Sequence, residues 1–245
     1  PLYDADLIIN VAKLKTHGFM VYSGAVKNMF GSIAGLEKTD YHLRMSDHES
    51  FANCLIDIYL ATKPRINIID GIIAMEGDGP SAGVPKYIGC IIASKDAFAC
   101  DYVALKAIGV DYRLVPVMKM AEKRGIFNKD NINILGADLE IIKPDSFDVP
   151  ALLHQRTGSR FAAIRFIRNK FRPQPEILRN KCVKCGKCAE VCPPKAAVRD
   201  NDKQIVIDYK KCISCFCCHE FCPEKAIKIK RNTLRRLLEY RRINP

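Results

Sequence analysis

The spacing of apolar residues predicts alternating strands and helices over residues 1–150 of the 245-residue chain. Three apolar, β-branched runs have the composition of buried strands and lie at 5–15, 65–75 and 87–94. Four segments with helical spacing or composition are predicted to be helices: 23–35, 46–62, 96–108 and 112–124. This alternation predicts an α/β domain with a layered, mostly parallel or mixed sheet and flanking helices.

Local signals add caps and short elements to this outline. Ser23 is predicted to cap the first helix, and Ser46 with Glu49 has the spacing of a capping box before the second. Two further short strands are predicted at 132–135 and 138–142. Because the chain enters a strand almost at once and does not begin with Met, we expect further chain before Pro1.

The apolar pattern changes after residue 150. Apolar residues with arginines between them recur at helical spacing at Phe161, Ile164, Ile167 and Phe171. Residues 151–176 are therefore predicted to form a basic amphipathic helix and a short linker that begins at the prolines. Residues 231–245 are predicted to form a second basic helix. Residues 177–230, between these two segments, are rich in cysteine.

Two cysteine runs in 177–230 form an internal repeat. Each reads C-x-x-C-x-x-C-x-x-x-C-P, and the second follows the first at an offset of 30 residues. The runs contain Cys182, Cys185, Cys188 and Cys192, then Cys212, Cys215, Cys218 and Cys222. Thiolates suit iron–sulfur clusters, whereas paired zinc sites usually show two C-x-x-C pairs with a longer gap. Disulfide scaffolds are small and rich in loops, whereas this chain has a large α/β part without paired cysteines. Metal-bound thiolates in a reducing, cytoplasmic location are therefore expected.

The repeat resembles the bacterial-type ferredoxins, which hold two [4Fe-4S] clusters. The resemblance implies a small α+β ferredoxin-like domain in which the fourth cysteine of each run binds the other cluster. Carried over by position, the first cluster has the ligands Cys182, Cys185, Cys188 and Cys222. The second has Cys212, Cys215, Cys218 and Cys192. Two [4Fe-4S] clusters are thus the expected cofactors, with their iron bound by these thiolates.

The other cysteines are expected to be structural. Cys217 stands one residue before a predicted ligand, so its side chain is expected to point away from that cluster as a non-ligand. Cys54, Cys90 and Cys100 lie in apolar segments and are predicted to be small buried hydrophobic residues.

The basic charge is concentrated in the C-terminal part. Residues 1–150 contain 16 Lys/Arg and 19 Asp/Glu, whereas residues 151–245 contain 23 and 8. Clusters with thiolate ligands would cancel only part of this excess. The asymmetry predicts a redox partner protein with an acidic surface, and nucleic acid or a membrane surface is a less favoured partner.

Polar residues around the first strand suggest a site for a small anion. Lys13, Lys15 and His17 alternate and so share one face at the carboxyl end of the strand, where α/β sheets place ligands. The next helix, whose first N–H groups favour an anion, adds Ser23, Lys27 and Asn28. These residues predict a carboxylate or phosphate ligand. The alternative is a solvated basic strand end beside a capped helix.

Three acidic residues surround the loop "EGDGP". Glu76 and Asp78, with Asp70 nearby, could bind a cation or act as an acid–base pair, and the alternative is an acidic surface turn. Glu76, His17 and Lys27 are the candidate catalytic residues. His42 and His48 are predicted to be solvated or to cap helices. A G-x-G-x-x-G after a strand and a P-loop are both absent from the sequence, so NAD or ATP binding is not indicated.

Several segments of the first half resemble a widespread prokaryotic family known only as domain of unknown function 362. They are "KLKTH" (13–17), "GAVKNMFG" (24–31), "DGIIAMEGDGP" (70–80) and "SKDAFACDYVALKAIG" (94–109). Several members carry a C-terminal two-cluster ferredoxin module, and the family brings no established reaction. In this resemblance Asp101 is a family-typical acid at a helix start, where the helix dipole favours negative charge.

Two functions follow as predictions. The first is an iron–sulfur electron-transfer protein or oxidoreductase that passes single electrons through two clusters to a site or partner associated with the α/β domain. The second is a non-catalytic, ferredoxin-like adaptor whose α/β domain and basic helices dock an acidic partner protein.

Overall fold

A computed structural model describes residues 2, 4–35, 37–150 and 173–230. The basic helices predicted within 151–172 and 231–245 lie outside the described residues. The chain divides into two compact units, Pro1–Pro150 and Ala151–Pro245. We call them the N-terminal unit and the cysteine-rich unit.

A four-stranded mixed sheet forms the base of the N-terminal unit, with the strand order β2-β1-β3-β4. The strands are β1 (Ile9–His17), β2 (Val21–Ser23), β3 (Ile66–Glu76) and β4 (Val84–Ser94). β1 and β3 are parallel and place Lys13 opposite Asp70, whereas β2 and β4 are antiparallel to their neighbours. The α/β fold class with a mixed sheet is thereby confirmed.

Helices pack on one face of this sheet. They are α1 (Ala25–Asn28), α2 (Glu37–Arg44), α3 (His48–Thr62), α4 (Ala97–Ala107), α5 (Pro116–Lys123) and α6 (Leu139–Ile142). Short 3-10 segments lie at Met29–Ser32, Tyr112–Leu114 and Lys129–Asn131. The core between helices and sheet contains fully buried Leu14, Phe51, Leu55, Ile69 and Met118. On the other face, β1 and β4 expose Val11, Tyr87 and Ile91.

The predicted caps were wrong. Helix α3 begins at His48, and the side chain of Asp47 accepts from Ser50 N–H, so Ser46 does not cap it. Helix α1 begins only at Ala25, with Gly24 at the cap position and no side-chain cap from Ser23. Serine and aspartate suit this position equally, and the sequence pattern selected a cap one residue too early.

The two short strands predicted at 132–135 and 138–142 were also wrong. In the part of the chain that the structure describes, the segment 132–138 pairs with no strand. Leu139–Ile142 forms the short helix α6. Asp138 caps α6 by accepting from Glu140 N–H at 3.0 Å. An apolar run becomes a strand only where a partner edge is available, which local composition does not encode.

The cysteine-rich unit repeats one small motif twice. Its strands are β5 (Gln174–Ile177), β6 (Ala197–Arg199), β7 (Ile205–Ile207) and β8 (Ile227–Lys230), with helices α7 (Lys187–Glu190) and α8 (Cys217–Glu220). Both strand pairs are antiparallel: β5 pairs with β8, which joins the start of the repeat to its end, and β6 pairs with β7 in a hairpin between the two cysteine runs. This is the predicted small α+β domain.

One strand of the cysteine-rich unit occupies part of the predicted linker. Strand β5 begins at Gln174, inside the segment assigned to a linker. The hydroxyl of Tyr209 donates to Pro175 O at 3.0 Å and ties this strand to the second half of the repeat. Two prolines suggested a linker, but a proline is compatible with the edge position that β5 occupies in a two-stranded sheet.

Candidate metal centre

Four cysteines line one cavity of the cysteine-rich unit. Three of them, Cys182, Cys185 and Cys188, come from the first run. The fourth, Cys222, belongs to the second run and follows Cys188 by 34 residues. The apolar side chains of Ile177, Ile205 and Ile227 complete the lining. The strand pairing of the repeat therefore brings the last cysteine of one run to the first three of the other.

The remaining four cysteines of the repeat also lie together. Burial raises the pKa of the Cys218 thiol well above its ordinary value. The nearby thiols of Cys215, Cys212 and Cys192 raise this pKa further, and Cys188 of the first run adds a smaller effect. Cys188 and Cys218 both pack against Ile205 and Ile227. The two groups of sulfurs thus lie on either side of a shared apolar core.

Backbone N–H groups are directed at the sulfurs. Ala196 and Ala197 donate to Cys192 Sγ at 3.1 and 3.4 Å, and Ala226 donates to Cys222 Sγ at 3.2 Å. Lys195 and Lys225, each three residues after a run's last cysteine, have φ of 49° and turn the following N–H groups inward. Hydrogen bonds of this kind stabilise a thiolate, which is the form that binds iron.

This donor set fits iron–sulfur clusters. In a [4Fe-4S] cluster each iron takes one thiolate, so the four sulfurs surround a cube and do not meet at a point. Among the described residues, no three Cys, His, Asp or Glu side chains are placed to share a single metal ion. The four thiols around the apolar cavity can hold such a cube, and the N–H groups aimed at sulfur can offset its negative charge.

The two cysteine loops differ in exposure. We call residues 183–187 the first loop and residues 213–217 the second loop. In the first loop Val183 is 62% exposed and Cys185 is exposed. In the second loop Ser214, Phe216 and Cys217 are 6%, 4% and 1% exposed. The same backbone thus carries one loop open to solvent and one loop closed to it.

The closed loop includes a strained residue. Gly186 of the first loop has φ of 85°, and its counterpart Phe216 has φ of 64°. A non-glycine residue in this left-handed region costs roughly 1 kcal/mol. The burial of the Phe216 side chain offsets that cost.

Cys217 packs beside a predicted ligand. It shares a buried cluster with Cys215 and Val191. A hydrogen bond from the Cys217 thiol lowers the pKa of Cys215, and the same bond, together with burial, raises the pKa of Cys217. The Cys217 thiol therefore lies against the Cys215 sulfur. Its assignment as a non-ligand stays a prediction.

The anion site predicted in the N-terminal unit is not gathered by the fold. Lys15 and Ser23 are neighbours across β1 and β2, but Lys13 forms an ion pair with Asp70 at 2.8 Å. Asn28 lies on the helix-covered face of the sheet, where its side chain donates to Asn10 Oδ1 at 2.8 Å. Asn10 belongs to the buried face of β1, opposite to the exposed face that carries Lys13.

A protein carboxylate occupies the helix start that was predicted to bind an anion. Asp101 accepts from Ala25 N–H at 2.6 Å and from Val26 N–H at 3.1 Å, and Tyr22 Oη donates to it at 3.1 Å. Asp101 is fully buried within α4, not at a helix start, and burial raises its pKa to about 7. The expectation for Ser23 and for Asp101 is corrected accordingly.

The candidate catalytic residues have separate structural partners. His17 is buried, and its Nδ1 accepts from Phe19 N–H and Met20 N–H at 3.1 and 3.2 Å, which shapes the turn between β1 and β2. Lys27 Nζ lies 5.7 Å from the ring centroid of Phe30. Glu76 Oε2 accepts from Asp148 N–H at 3.0 Å. These contacts of His17, Lys27 and Glu76 thus involve three different parts of the N-terminal unit.

The acidic loop is likewise a structural connection. Gly77 N–H donates to Asp148 O at 2.7 Å, beside the bond of Glu76, so the end of β3 is attached to the segment around residue 148. The hydrogen bond from Lys13 is the main cause that lowers the pKa of Asp70. Asp70 is therefore paired on the sheet face and does not join Glu76 at the loop.

Two histidines predicted to be solvated or capping instead pack among aromatic rings. His42 is buried and stacks on Phe51 with centroids 4.2 Å apart. His48 lies 4.6 Å from Phe19, and burial lowers its pKa to about 4. A neutral imidazole behaves as an aromatic surface here. The prediction failed because helix phase, not residue type, decides which face of α2 and α3 is buried.

The remaining cysteines agree with their expected role in part. Cys54 and Cys100 are buried, and Cys90 is half-buried. Burial raises the pKa of Cys100 to about 12, and its thiol donates to Asn67 O at 3.4 Å. Cys54 and Cys100 are inert parts of the core.

Buried asparagines are structural residues that the sequence did not reveal. Asn10 donates to Asn67 Oδ1 at 2.9 Å and to Ala25 O at 2.8 Å, and Asn67 donates to Lys95 O at 3.2 Å. This network joins β1, β3 and α1. The only available signal was a polar residue at an inward position of each strand: Asn10 in β1 and Asn67 in β3.

Comparisons with known proteins identify both units. Residues 1–106 match a family described as a domain of unknown function (DUF362), and residues 174–223 match the 4Fe-4S dicluster domain. A thylakoid-associated protein of Synechocystis sp. is 33% identical over 178 residues, which are 67% of this chain and 55% of that protein. The chain thus spans a little over half of that relative's length. It carries a DUF362 domain followed by a 4Fe-4S dicluster domain, which confirms both resemblances.

None of the helices in the part of the chain that the structure describes has the length and apolar character needed to cross a bilayer.

Proposed function

We propose that this chain is an iron–sulfur electron-transfer protein that passes single electrons through two [4Fe-4S] clusters to a site or partner associated with the N-terminal unit. The observation that carries the proposal is the convergence of cysteines from both runs on one cavity of a 4Fe-4S dicluster domain. Such clusters supply one-electron chemistry at a potential that the surrounding protein sets.

The ligand assignment is part of the proposal. One cluster is bound by Cys182, Cys185, Cys188 and Cys222, and the other by Cys212, Cys215, Cys218 and Cys192. The cavity lining supports the first set, and the mutual influence of the thiols around Cys218 supports the second. Two groups of four sulfurs on one shared apolar core would keep the clusters close enough for exchange between them.

The role of the N-terminal unit decides between an oxidoreductase and an adaptor. Its polar groups are engaged in internal contacts, including the pairs of Lys13 with Asp70 and of Asp101 with Ala25 and Val26. These contacts favour a docking or scaffolding role over catalysis by His17, Lys27 and Glu76. We therefore infer that electrons leave to a partner protein rather than to a small substrate bound among these residues.

The test is reoxidation of the anaerobically reduced protein under stopped flow. The probes are a panel of small carboxylates and phosphates and, separately, an acidic one-electron carrier protein. We expect the carrier alone to reoxidise the clusters. Rapid reoxidation by a small molecule, abolished in H17A or E76Q but not in L135A at an exposed position, would establish an enzyme instead.

A membrane surface is the second candidate for the partner. The relative's name associates that protein with thylakoids, and residues 151–245 of this chain carry 23 Lys/Arg against 8 Asp/Glu. Basic segments attract anionic lipid headgroups. Co-sedimentation with vesicles of phosphatidylglycerol, and not with phosphatidylcholine, would support this location. Absence from both pellets would support the cytoplasmic location proposed from the thiol chemistry.

A further inference from the structure

We propose that the protein exchanges electrons with external carriers through the cluster bound beside the first loop, where a one-electron carrier protein with an acidic surface docks. The inference rests on the proposed electron-transfer function and assigns its two clusters different positions in the path. The cluster at the first loop is the exchange site. The cluster at the second loop is the inner site, which exchanges electrons with such carriers only through the first.

Burial separates the two loops. At the first loop Val183 and Cys185 are exposed, so an approaching protein can reach a cluster ligand directly. At the second loop Cys215 is buried, and Ser214 is held by a hydrogen bond from its Oγ to Pro173 O at 2.8 Å. The rate of electron tunnelling falls exponentially with distance. A carrier therefore exchanges fastest with the cluster whose ligand loop it can touch.

The sequence of the repeat carries the same difference. Positions related by the offset of 30 residues change from polar or flexible to apolar or small: Lys184 to Ser214, Gly186 to Phe216 and Lys187 to Cys217. Both lysines of the first loop are missing from the second. Because the backbone is otherwise repeated, these three substitutions convert an open loop into a closed one.

The surface around the first loop suits a protein partner with acidic side chains. Exposed Val183 lies between Lys181 and Lys184, and Lys187 follows on α7. Arg199 Nη2 donates to Lys184 O at 3.0 Å, which places a guanidinium against the loop. Lys187 is paired with Glu190 at 2.8 Å, so Lys181, Lys184 and Arg199 supply the positive charge around Val183. An apolar contact with mainly basic neighbours is an arrangement that steers and then holds a transient partner.

The redox step is a simple exchange. The carrier loses one electron, and the acceptor at the first loop changes from [4Fe-4S]²⁺ to [4Fe-4S]⁺. No bond is formed or broken, and no proton moves. The electron then passes inward, which returns the exchange site to its starting state for the next encounter.

The experiment compares two lysines at equivalent positions of the repeat. Lys181 precedes Cys182, and Lys211 precedes Cys212; their backbone N–H groups donate to Leu178 O and Asp208 O at 3.0 and 3.2 Å. Both side chains are exposed. K181E and K211E therefore introduce the same charge change beside the exchange site and beside the inner site, respectively.

The readout is the second-order rate constant for oxidation of the fully reduced protein by two cobalt complexes. For the anionic cobalt(III)–EDTA complex, K181E is expected to reduce the rate by about two- to threefold at low ionic strength. For the cationic hexaamminecobalt(III) complex the same variant is expected to increase it. K211E should leave both rates unchanged, and high salt should remove the effects of K181E.

Three results would overturn the inference: an effect of K211E equal to that of K181E, a larger effect of K211E, or no effect of either variant. Equal iron content and equal reduction by dithionite in all three proteins would show that electron transfer itself is intact. Absence of iron from the wild-type protein would instead refute the proposed function. As a readout independent of turnover, a soluble dysprosium complex should accelerate the spin relaxation of the cluster at the first loop and not that of the cluster at the second loop.

Discussion

The two units treat their polar side chains in opposite ways. In the N-terminal unit they are directed at one another or at the backbone, as in the contacts of Asp101 with Ala25 and Val26. In the cysteine-rich unit thiols are directed at a cavity, as with Cys182 and Cys222. Groups whose hydrogen bonds are made internally stabilise a fold, whereas several nucleophilic groups left facing one space can bind a cofactor. In the proposed function, the first unit is accordingly a scaffold and the second carries the chemistry.

The largest expected effect is the loss of one cluster from a single ligand change. C222S should reduce the iron content from about eight to about four atoms per chain, because a missing thiolate destabilises one cube. If the runs are crossed as proposed, the electron paramagnetic resonance spectrum of reduced C222S should match that of C182S. A spectrum that matches C212S would mean that each run binds its own cluster. The N-terminal unit should be unchanged in all three variants.

The next effect should be confined to the N-terminal unit. A Cβ at Gly24 would overlap with Tyr22 Oη and with a carboxylate oxygen of Asp101, and both residues are buried. G24A should therefore lower the stability of this unit by about 2–3 kcal/mol. G31A is the matched control, since a Cβ there meets nothing within 4 Å.

Hydrogen exchange in β1 and α1, measured by mass spectrometry, gives the readout for G24A and G31A. Faster exchange should appear in G24A alone, with the visible spectrum of the clusters unaltered. Wild-type exchange rates in G24A would contradict the packing described around Asp101.

A smaller effect should depend on pH. Burial raises the pKa of Asp101 from 3.8 to about 7, so the folded state binds the proton more tightly than the unfolded chain does. The stability that this group contributes is fully present below about pH 4 and falls as the pH rises to about 7, by at most about 4 kcal/mol. D101N should flatten this part of the profile for amides 25 and 26, measured by hydrogen exchange and corrected for intrinsic rates. An unchanged slope would mean that another group titrates.

The smallest effect should distinguish the two cysteine loops. C217A removes a buried thiol hydrogen bond to the Cys215 sulfur and should lower the reduction potential of the cluster at the second loop, because donors to sulfur stabilise the reduced state. K187A changes the equivalent position of the first loop, where Lys187 pairs with Glu190 at 2.8 Å and water screens its charge. Potentiometric titration followed by paramagnetic resonance should give the larger shift for C217A. A larger shift for K187A would reverse the comparison.

The success of the sequence-based predictions depended on whether the signal was local. The β-branched run at 65–75 became β3 at Ile66–Glu76, because its composition and its place between helices agreed. The run at 132–135 had similar composition and formed no strand in the described structure, because the missing requirement was a neighbouring edge. The cysteine repeat predicted the dicluster domain through its resemblance to the bacterial-type ferredoxins, because that resemblance is carried by local spacing.

The contacts that decide the candidate sites are distant in sequence. Asp101 meets Ala25 across 76 residues, and no periodicity links the two. The predicted set at Lys13, Ser23 and Asn28 was close in sequence, but the fold placed Asn28 on the helix-covered face of the sheet. The difference between the cysteine loops was partly visible, since Lys184 and Lys187 have no basic counterparts in the second run. Its physical meaning required the burial of Ser214 and Phe216.

The measurement that most directly tests the two-cluster assignment is iron, sulfide and spin quantitation on protein purified without oxygen. We predict about eight irons and eight sulfides per chain, and, after dithionite reduction, a signal from two interacting clusters that integrates to about two spins. Zinc in place of iron, or four irons with one spin, would contradict two [4Fe-4S] clusters held by the eight cysteines of the repeat.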